Sequence, residues 1–173
     1  GVTPIFSFDN WLFLNRDTSH FLYERINVGG TATVTKSAVD AGVKRLVFLS
    51  TIAVYENSIG QILTEETPVQ PNTFYAETKL VAERIVLEAR RLDRQPLGTV
   101  LRFAAIYGSR IKGNYPSRAS GRTVARRRFI PIGDGSNRRT LIYDRDVAQA
   151  AVLAVQHPAA IGKIFNVSDG HFH

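Results

Sequence analysis

Two apolar runs restrict the fold of this chain more than any other feature of its sequence. Residues 43–50 and 98–105 each contain a stretch of large apolar side chains, chiefly leucine, valine and phenylalanine. Runs of this kind are typical of strands that are buried on both faces, as in a parallel sheet. The sequence therefore predicts two strands of a parallel sheet at these positions.

Helical segments alternate with the two strands. Three segments have the apolar periodicity and the terminal residues of helices, and they span residues 18–41, 73–92 and 144–156. In the first, Gly42 is predicted to end the helix, and the apolar side chains expected to lie roughly on one side are those of Phe21, Leu22, Ile26, Val34 and Ala38. In the second, Thr73 or Asn72 is predicted to cap the first turn.

The order helix, strand, helix, strand favours one architecture. It implies right-handed crossover connections and a doubly wound parallel α/β sheet. A short last strand is predicted at residues 161–167. The length of 173 residues suits one domain, or one domain with a small appendage. A hydrophobic fraction of 44% is enough for a packed core.

Composition excludes several classes of site. The chain has no cysteine, which rules out disulfides, thiolate metal sites and cysteine nucleophiles and is compatible with a reducing cytoplasm. No apolar run approaches the roughly 20 residues of a membrane helix, and residues 1–10 lack the layout of a signal peptide. We therefore expect a cytoplasmic domain that has no membrane contact and no metal site.

The positive charge is concentrated in one segment. The net charge is +7, and residues 110–139 hold nine basic residues against a single acidic one, Asp134. An arginine-rich, solvated helix face would account for this segment. A site for a phosphorylated or otherwise anionic partner would account for it equally well.

A tyrosine and a lysine lie one helical turn apart in the second predicted helix. Tyr75 and Lys79 occupy positions i and i+4, so both side chains leave the same face. A free phenol has a pKa near ~10, and a neighbouring ammonium lowers that pKa by favouring the phenolate. Such a pair can take a proton from an alcohol or return one to an alkoxide. The alternative is an ordinary surface pair on an amphipathic helix.

Further motifs surround this pair in a recognisable order. They are Asn-x-x-Gly-Thr at 27–31, Ser-Thr-x-x-Val-Tyr at 50–55, Tyr-x-x-x-Lys at 75–79, Leu-Arg with a later Tyr-Gly at 101–108, Asn-Arg-Arg at 137–139 and Phe-Asn-Val at 165–167. Together they resemble the extended short-chain dehydrogenases/reductases of the NAD-dependent epimerase/dehydratase family. The resemblance covers about residues 21–169.

This resemblance implies a domain organisation. Residues 1–109 would form the C-terminal portion of a Rossmann-like dinucleotide-binding domain. Residues 110–142 would be part of a small substrate-binding region. Residues 143–173 would supply a helix and a strand that return to the border between the two. The resemblance also implies a homodimer, in which the helices at 18–41 and 73–92 form a four-helix interface.

The resemblance assigns roles around the reacting centre. It implies that Tyr75 is the general acid/base, and that Lys79 lowers the pKa of Tyr75 and holds the nicotinamide ribose hydroxyls. Thr51 would share the substrate hydroxyl, with Ser50 as the near alternative and as a cofactor contact. Asn27 would support the cofactor side of the site.

The resemblance also implies ligand contacts farther from the reacting centre. The backbone near Ala104 would approach the nicotinamide. Asn114 and Arg139 would bind the phosphates of a nucleotide-diphosphate sugar, and Ile130 would lie near its base. For Arg139 and Asn114 the alternative is a surface position without a ligand.

The implied activity is that of an NAD(P)-dependent nucleotide-sugar epimerase, which acts at C4 through a 4-keto intermediate. A 4-reductase is an alternative. A dehydratase ranks lower, because Ile52 and Ala53 follow Thr51 where an acidic pair would be expected. Ala105 replaces an asparagine that many 4-epimerases carry, which leaves the sugar open.

A second class of function is a nucleic-acid-binding or regulatory protein on a dehydrogenase-like fold. The basic segment at 110–139 favours it. Nucleic acid is nevertheless not the expected partner, because only Tyr115 and Phe129 could offer stacking surfaces among these arginines.

One motif of the family has no counterpart in the sequence. These enzymes carry a Gly-x-x-Gly-x-x-Gly turn whose helix N–H groups bind the cofactor pyrophosphate, and the 173 residues contain no such run. The resemblance therefore leads us to expect a longer protein, with strands before Phe21 and a tail after His173. The choice between NAD and NADP depends on that missing turn, and NAD is expected.

Overall fold

The computed structural model of the chain describes residues 16–55, 62–108 and 140–170. These ranges contain five strands, numbered in chain order, which span Leu46–Thr51 (β1), Gly98–Phe103 (β2), Ala105–Tyr107 (β3), Leu141–Tyr143 (β4) and Ile164–Val167 (β5). Strands β1, β2 and β5 form a parallel sheet in that spatial order, and β3 pairs with β4 in a separate parallel pair. The predicted parallel sheet is confirmed.

In the described parts of the chain, four α-helices accompany the strands. They span Arg16–Tyr23 (α1), Thr31–Asp40 (α2), Phe74–Glu88 (α3) and Asp144–Gln156 (α4). Short 3₁₀ turns at Ile52–Val54 and Pro158–Ala160 follow β1 and α4. The third predicted helix matches α4 residue for residue.

The first predicted helix contains a π-helical turn. Residues Glu24–Gly30 connect α1 to α2 with this wider turn, which rotates the side chains before it relative to those after it. Of the side chains predicted to lie on one side of this helix, Ala38 is buried, whereas Phe21 and Ile26 are 61% and 56% exposed. Gly42 follows α2 in the left-handed region, with φ of 66°, as its predicted role at the helix end requires.

The boundaries of α3 reflect local hydrogen bonding. The hydroxyl of Thr73 accepts a hydrogen bond from the N–H of Ala76 at 3.2 Å, which confirms Thr73 as the cap. The helix ends at Glu88 rather than near residue 92, because Ala89 adopts an extended conformation and Arg90 forms an antiparallel bridge with Pro96. The pairing with Pro96 turns the chain toward β2.

Helices cover both faces of the parallel sheet. The six residues of β2 are all buried. On one face, Leu101 and Phe103 pack with Ala154 of α4 in the apolar core. On the other face α3 approaches closely enough that a methyl group on Gly98 would lie 2.3 Å from the carbonyl oxygen of Val86. The doubly wound arrangement is therefore confirmed.

Several predicted features lie outside the described residues. They include the basic segment at 110–139 and most of the predicted substrate-binding region at 110–142. Within the described ranges, no helix combines the length and the apolar character that a membrane span requires.

Candidate active site

Lys79 is a buried lysine that contacts the end of β1. It is 8% exposed, and its Nζ donates a hydrogen bond to the carbonyl oxygen of Leu49 at 2.7 Å. The same Nζ lies 4.3 Å from the centre of the Phe48 ring. A carbonyl oxygen and a ring face both favour a cation, so the ammonium group is held against β1 near its carboxyl end.

Tyr75 lies in the first turn of α3, one turn before Lys79. Its side chain is half-buried, and its ring packs edge-on against the ring of Tyr23, with centroids 5.8 Å apart. Because Thr73 caps the helix two residues earlier, the position of Tyr75 relative to Lys79 is set by regular helix geometry. The side chains of Tyr75 and Lys79 consequently share one face of α3.

Thr51 is the last residue of β1. Its hydroxyl accepts a hydrogen bond from the N–H of Ala53 at 3.1 Å and so begins the 3₁₀ turn that follows. Helix α3 packs against β1, against β2 and against this turn. In a parallel sheet the crossover helix starts at the carboxyl edge of the strand that it follows. Thr51 and Tyr75 therefore belong to the edge where ligands bind in open α/β sheets.

Asn27 is connected to the same helix through Thr78. The side chain of Asn27 is buried in the π-helical turn, and its Nδ2 donates a hydrogen bond to Oγ1 of Thr78 at 3.1 Å. Thr78 in turn donates its hydroxyl proton to the carbonyl oxygen of Tyr75 at 2.9 Å. Asn27 thus supports the backbone that carries Tyr75.

Ser50 and Ala104 lie in the interior of the sheet. The hydroxyl of Ser50 donates to Oε1 of Glu83 at 2.5 Å, on the face opposite to that of Thr51 because successive side chains alternate along a strand. The N–H of Ala104, directly after β2, donates to the carbonyl oxygen of Val167 at 3.0 Å. The predicted substrate residues Asn114, Ile130 and Arg139 lie outside the described residues.

The structure also contains a buried ion pair that the sequence reasoning missed. Arg102 and Glu83 are 3% and 1% exposed. Arg102 donates from Nη2 to Oε2 of Glu83 at 2.6 Å and from Nε to Oε1 at 3.0 Å. Burial by itself would lower the pKa of Arg102, but the hydrogen bonds and the charge of Glu83 outweigh it and raise that pKa. The guanidinium is therefore firmly cationic.

Three strands and one helix meet at this ion pair. Ser50, Arg102 and Asn166 are register partners across β1, β2 and β5, so their side chains project from the same face. Arg102 also donates from Nη1 to the hydroxyl of Tyr55 at 2.7 Å, and that hydroxyl donates to Oδ1 of Asn166 at 2.9 Å. The sequence did contain a signal for this ion pair: Arg102 lies inside an otherwise apolar strand that is buried, and a buried charge requires a partner.

The arrangement as a whole suits proton transfer. It combines a phenol, a neighbouring buried ammonium and a hydroxyl at the carboxyl edge of a parallel sheet, the elements of general acid/base catalysis on an alcohol. Among the described residues, no group of three or more histidine, aspartate or glutamate side chains could hold a metal ion.

Several known proteins resemble this chain in sequence. The UDP-glucose 4-epimerase of Vibrio cholerae is 32% identical over 153 residues, which are 87% of this chain and 46% of that protein. The dTDP-D-glucose 4,6-dehydratase of Mus musculus is 30% identical over 85% of this chain and 41% of its own length. The mouse decarboxylating sterol-4-alpha-carboxylate 3-dehydrogenase is 30% identical over 86% of this chain and 42% of its own length. The chain thus spans less than half the length of these relatives.

Solved structures are also similar to this chain, in fold as well as in sequence. MoeE5 in complex with UDP-glucose and NAD superposes with a TM-score of 0.73 at 30% identity, over 90% of this chain and 52% of that one. The sequence profile of the NAD-dependent epimerase/dehydratase family matches residues 15–168, a range that contains Thr51, Tyr75 and Lys79 as well as the parallel sheet. The chain belongs to the NAD-dependent epimerase/dehydratase family.

Proposed function

We propose that the protein containing this chain is an NAD-dependent epimerase that acts at C4 of a nucleotide-linked sugar, through a 4-keto intermediate. The observation that carries the proposal is the pairing of Tyr75 with Lys79 on one face of α3, where the Lys79 ammonium is buried against Leu49 and Phe48 near the end of β1. A buried ammonium acts through a low local dielectric, so its effect on a neighbouring phenol is stronger than at a surface.

The residues of this chain divide the proton chemistry among them. Lys79 favours the phenolate of Tyr75 and lowers the pKa of its phenol. Tyr75 then takes the proton from the C4 hydroxyl and later returns a proton to the same oxygen. Thr51, at the end of β1, donates or accepts a hydrogen bond at that oxygen and fixes its position.

The described residues suit a nicotinamide cofactor at this edge. We propose that Lys79 binds the ribose hydroxyls of the nicotinamide nucleotide and that the backbone near Ala104, directly after β2, approaches the nicotinamide ring. Asn27 supports this side of the site through Thr78. NAD, when bound, supplies the hydride acceptor and donor for C4.

The substrate class rests on the relatives and on charge. The Vibrio relative is named for UDP-glucose, and the MoeE5 structure contains UDP-glucose with NAD. A nucleotide diphosphate is anionic, and residues 110–139 carry the positive excess of the chain. Asn114 and Arg139 are proposed to bind the diphosphate, with Ile130 near the base.

Other activities of the same family are alternatives. A 4-reductase uses the same three catalytic residues. A dehydratase ranks behind, because Ile52 and Ala53 follow Thr51, although the mouse dehydratase is among the relatives. The sterol dehydrogenase relative adds a carboxylated sterol as an alternative substrate. A nucleic-acid-binding role ranks last, and RNA binding that weakens with salt, in a protein that does not bind NAD, would support it.

Product analysis with the complete gene product separates these activities. With UDP-glucose and NAD, we expect inversion at C4 to UDP-galactose without net consumption of cofactor, which chromatography of the nucleotide sugars detects. Stoichiometric oxidation of NAD(P)H with a 4-keto sugar would indicate a reductase, and loss of the 6-hydroxyl would indicate a dehydratase. Binding of NAD with no turnover of any nucleotide sugar, together with decarboxylation of a sterol acid, would overturn the proposal.

A homodimer is also proposed. Phe21, Ile26 and Val81 are 61%, 56% and 41% exposed on the helices at 16–40 and on α3, and exposed apolar side chains of this kind are commonly buried between subunits. Sedimentation velocity of the complete gene product should show a dimer at micromolar concentration. Replacing Phe21 by glutamate should shift the species toward the monomer, and a wild-type protein that sediments only as a monomer would refute the dimer.

A further inference from the structure

Glu83 places a negative charge one helical turn beyond Lys79. The two residues share a face of α3 at i and i+4, and they bind adjacent residues of β1, Lys79 at the carbonyl of Leu49 and Glu83 at the hydroxyl of Ser50. An uncompensated carboxylate at this place would oppose the effect of the Lys79 ammonium on the Tyr75 phenol. Glu83 is 1% exposed, so solvent would screen its charge little.

Arg102 compensates this carboxylate. Its guanidinium meets both carboxylate oxygens, in the two-pronged geometry typical of arginine. On its other side, Nη1 is held by the hydroxyl of Tyr55 at 2.7 Å, and the guanidinium lies 4.9 Å from the centre of the Tyr55 ring. The cation is therefore fixed between Glu83 and Tyr55, at a position on β2.

We infer that Arg102 acts on the reacting tyrosine at a distance: by neutralising Glu83, it leaves the positive charge of Lys79 to act on Tyr75 undiminished. Arg102 is in this sense a positioning residue, because it acts through Glu83 and touches no reacting atom. The inference deepens the proposed function and rests on it, since it concerns the acid/base role of Tyr75.

Other charged groups near this helix have less influence. Among the residues whose side chains the structure describes, the ionisable ones on or next to the elements packed against α3, other than the ion pair and the proposed catalytic pair, are His20, Tyr23, Glu24, Arg25, Lys36, Asp40 and Tyr55, and those on α3 itself are Glu77, Arg84 and Glu88. Except for the two tyrosines, all of them are exposed, so solvent and salt screen their charges. Lys36 and Asp40 also pair with each other.

A titration of Tyr75 tests the inference without any substrate. The ultraviolet absorbance of phenolate is measured against pH in the complete gene product. For each variant, the titration of the same variant carrying Tyr75→Phe is subtracted, because that background contains the signal of all the other tyrosines and the difference is the titration of Tyr75. Arg102→Met should raise the pKa of Tyr75 by about one. Arg102→Lys, which breaks the two-pronged contact but keeps the charge, should leave that pKa near the wild-type value.

Two further variants are expected to shift the pKa of Tyr75 in the opposite direction or to restore it. Glu83→Gln leaves the positive charge of Arg102 unopposed and should lower the pKa of Tyr75. The double variant Glu83→Gln/Arg102→Met removes both charges and should return the pKa to near the wild-type value. These two variants decide the question if Arg102→Met does not fold.

The results that overturn the inference are distinct from those that overturn the function. Equal changes in Arg102→Lys and Arg102→Met, changes of the same sign in Arg102→Met and Glu83→Gln, or an unchanged pKa throughout would show that the ion pair has only a structural role. The expected order of pKa values in a protein that turns over no nucleotide sugar would instead refute the proposed function and leave the electrostatic coupling in place.

Discussion

Replacement of Tyr75 by phenylalanine is expected to lower turnover on a nucleotide sugar by roughly two to four orders of magnitude. The change keeps the ring that packs against Tyr23 and removes only the ionisable oxygen. Without that oxygen the side chain at position 75 can no longer accept the C4 hydroxyl proton. The measurement is kcat of the complete gene product with UDP-glucose, beside a thermal unfolding curve that shows an intact fold.

Tyr23→Phe is the matched control for this variant. It removes a phenolic hydroxyl from the neighbouring ring, which is also half-buried, but from a side chain to which no acid/base role is assigned. Its turnover should stay within a few-fold of the wild type. Near-normal turnover of Tyr75→Phe would refute the assignment of Tyr75. An equally large loss in both variants would point to damaged packing between α1 and α3.

Breaking the buried ion pair from one side is expected to give the largest loss of stability. Arg102→Met removes a guanidinium from a β2 position that is 3% exposed and leaves the Glu83 carboxylate without its main partner. An uncompensated buried charge of this kind costs about 3–5 kcal/mol. Urea unfolding of the complete gene product should show the midpoint falling accordingly.

Two controls test whether the loss of stability comes from an unpaired buried charge and not from the loss of any ion pair. Glu83→Gln/Arg102→Met leaves no unpaired ion and should be more stable than Arg102→Met alone. Lys36→Met breaks the exposed pair with Asp40, whose side chains are 77% and 61% exposed, and should change the free energy of unfolding by less than about 1 kcal/mol. A double variant that is less stable than Arg102→Met would contradict the argument.

Local chemistry was enough to predict most of the elements. The continuous apolar runs identified the buried strands of a parallel sheet, because a strand covered on both faces has no polar face to show. The cap at Thr73 and the stop at Gly42 were readable because each depends on a hydrogen bond or a backbone angle within a few residues. The Tyr75–Lys79 spacing follows from the helix repeat alone.

The prediction from local sequence patterns differed from the structure in the phase of the first helix and at the end of α3. Phe21 and Ile26 were predicted to lie on one side of a single regular helix, but the π-helical turn at Glu24–Gly30 changes the phase of the helix, and no periodicity measured along a regular helix anticipates it. Helix α3 stops at Glu88 because Arg90 pairs with Pro96, and its own side chains would have permitted several more residues.

The sequence by itself determined the order of the helices and of the three strands of the main sheet, the Tyr75–Lys79 pair and the hydroxyl at the end of β1, but not the separate pair of β3 and β4. The tertiary structure alone decided that Ser50, Arg102 and Asn166 form a row across three strands, with Glu83 above it from α3. The physical reason is register: which residues of parallel strands lie side by side depends on contacts between segments far apart in the chain. Those contacts give the buried charges their partners.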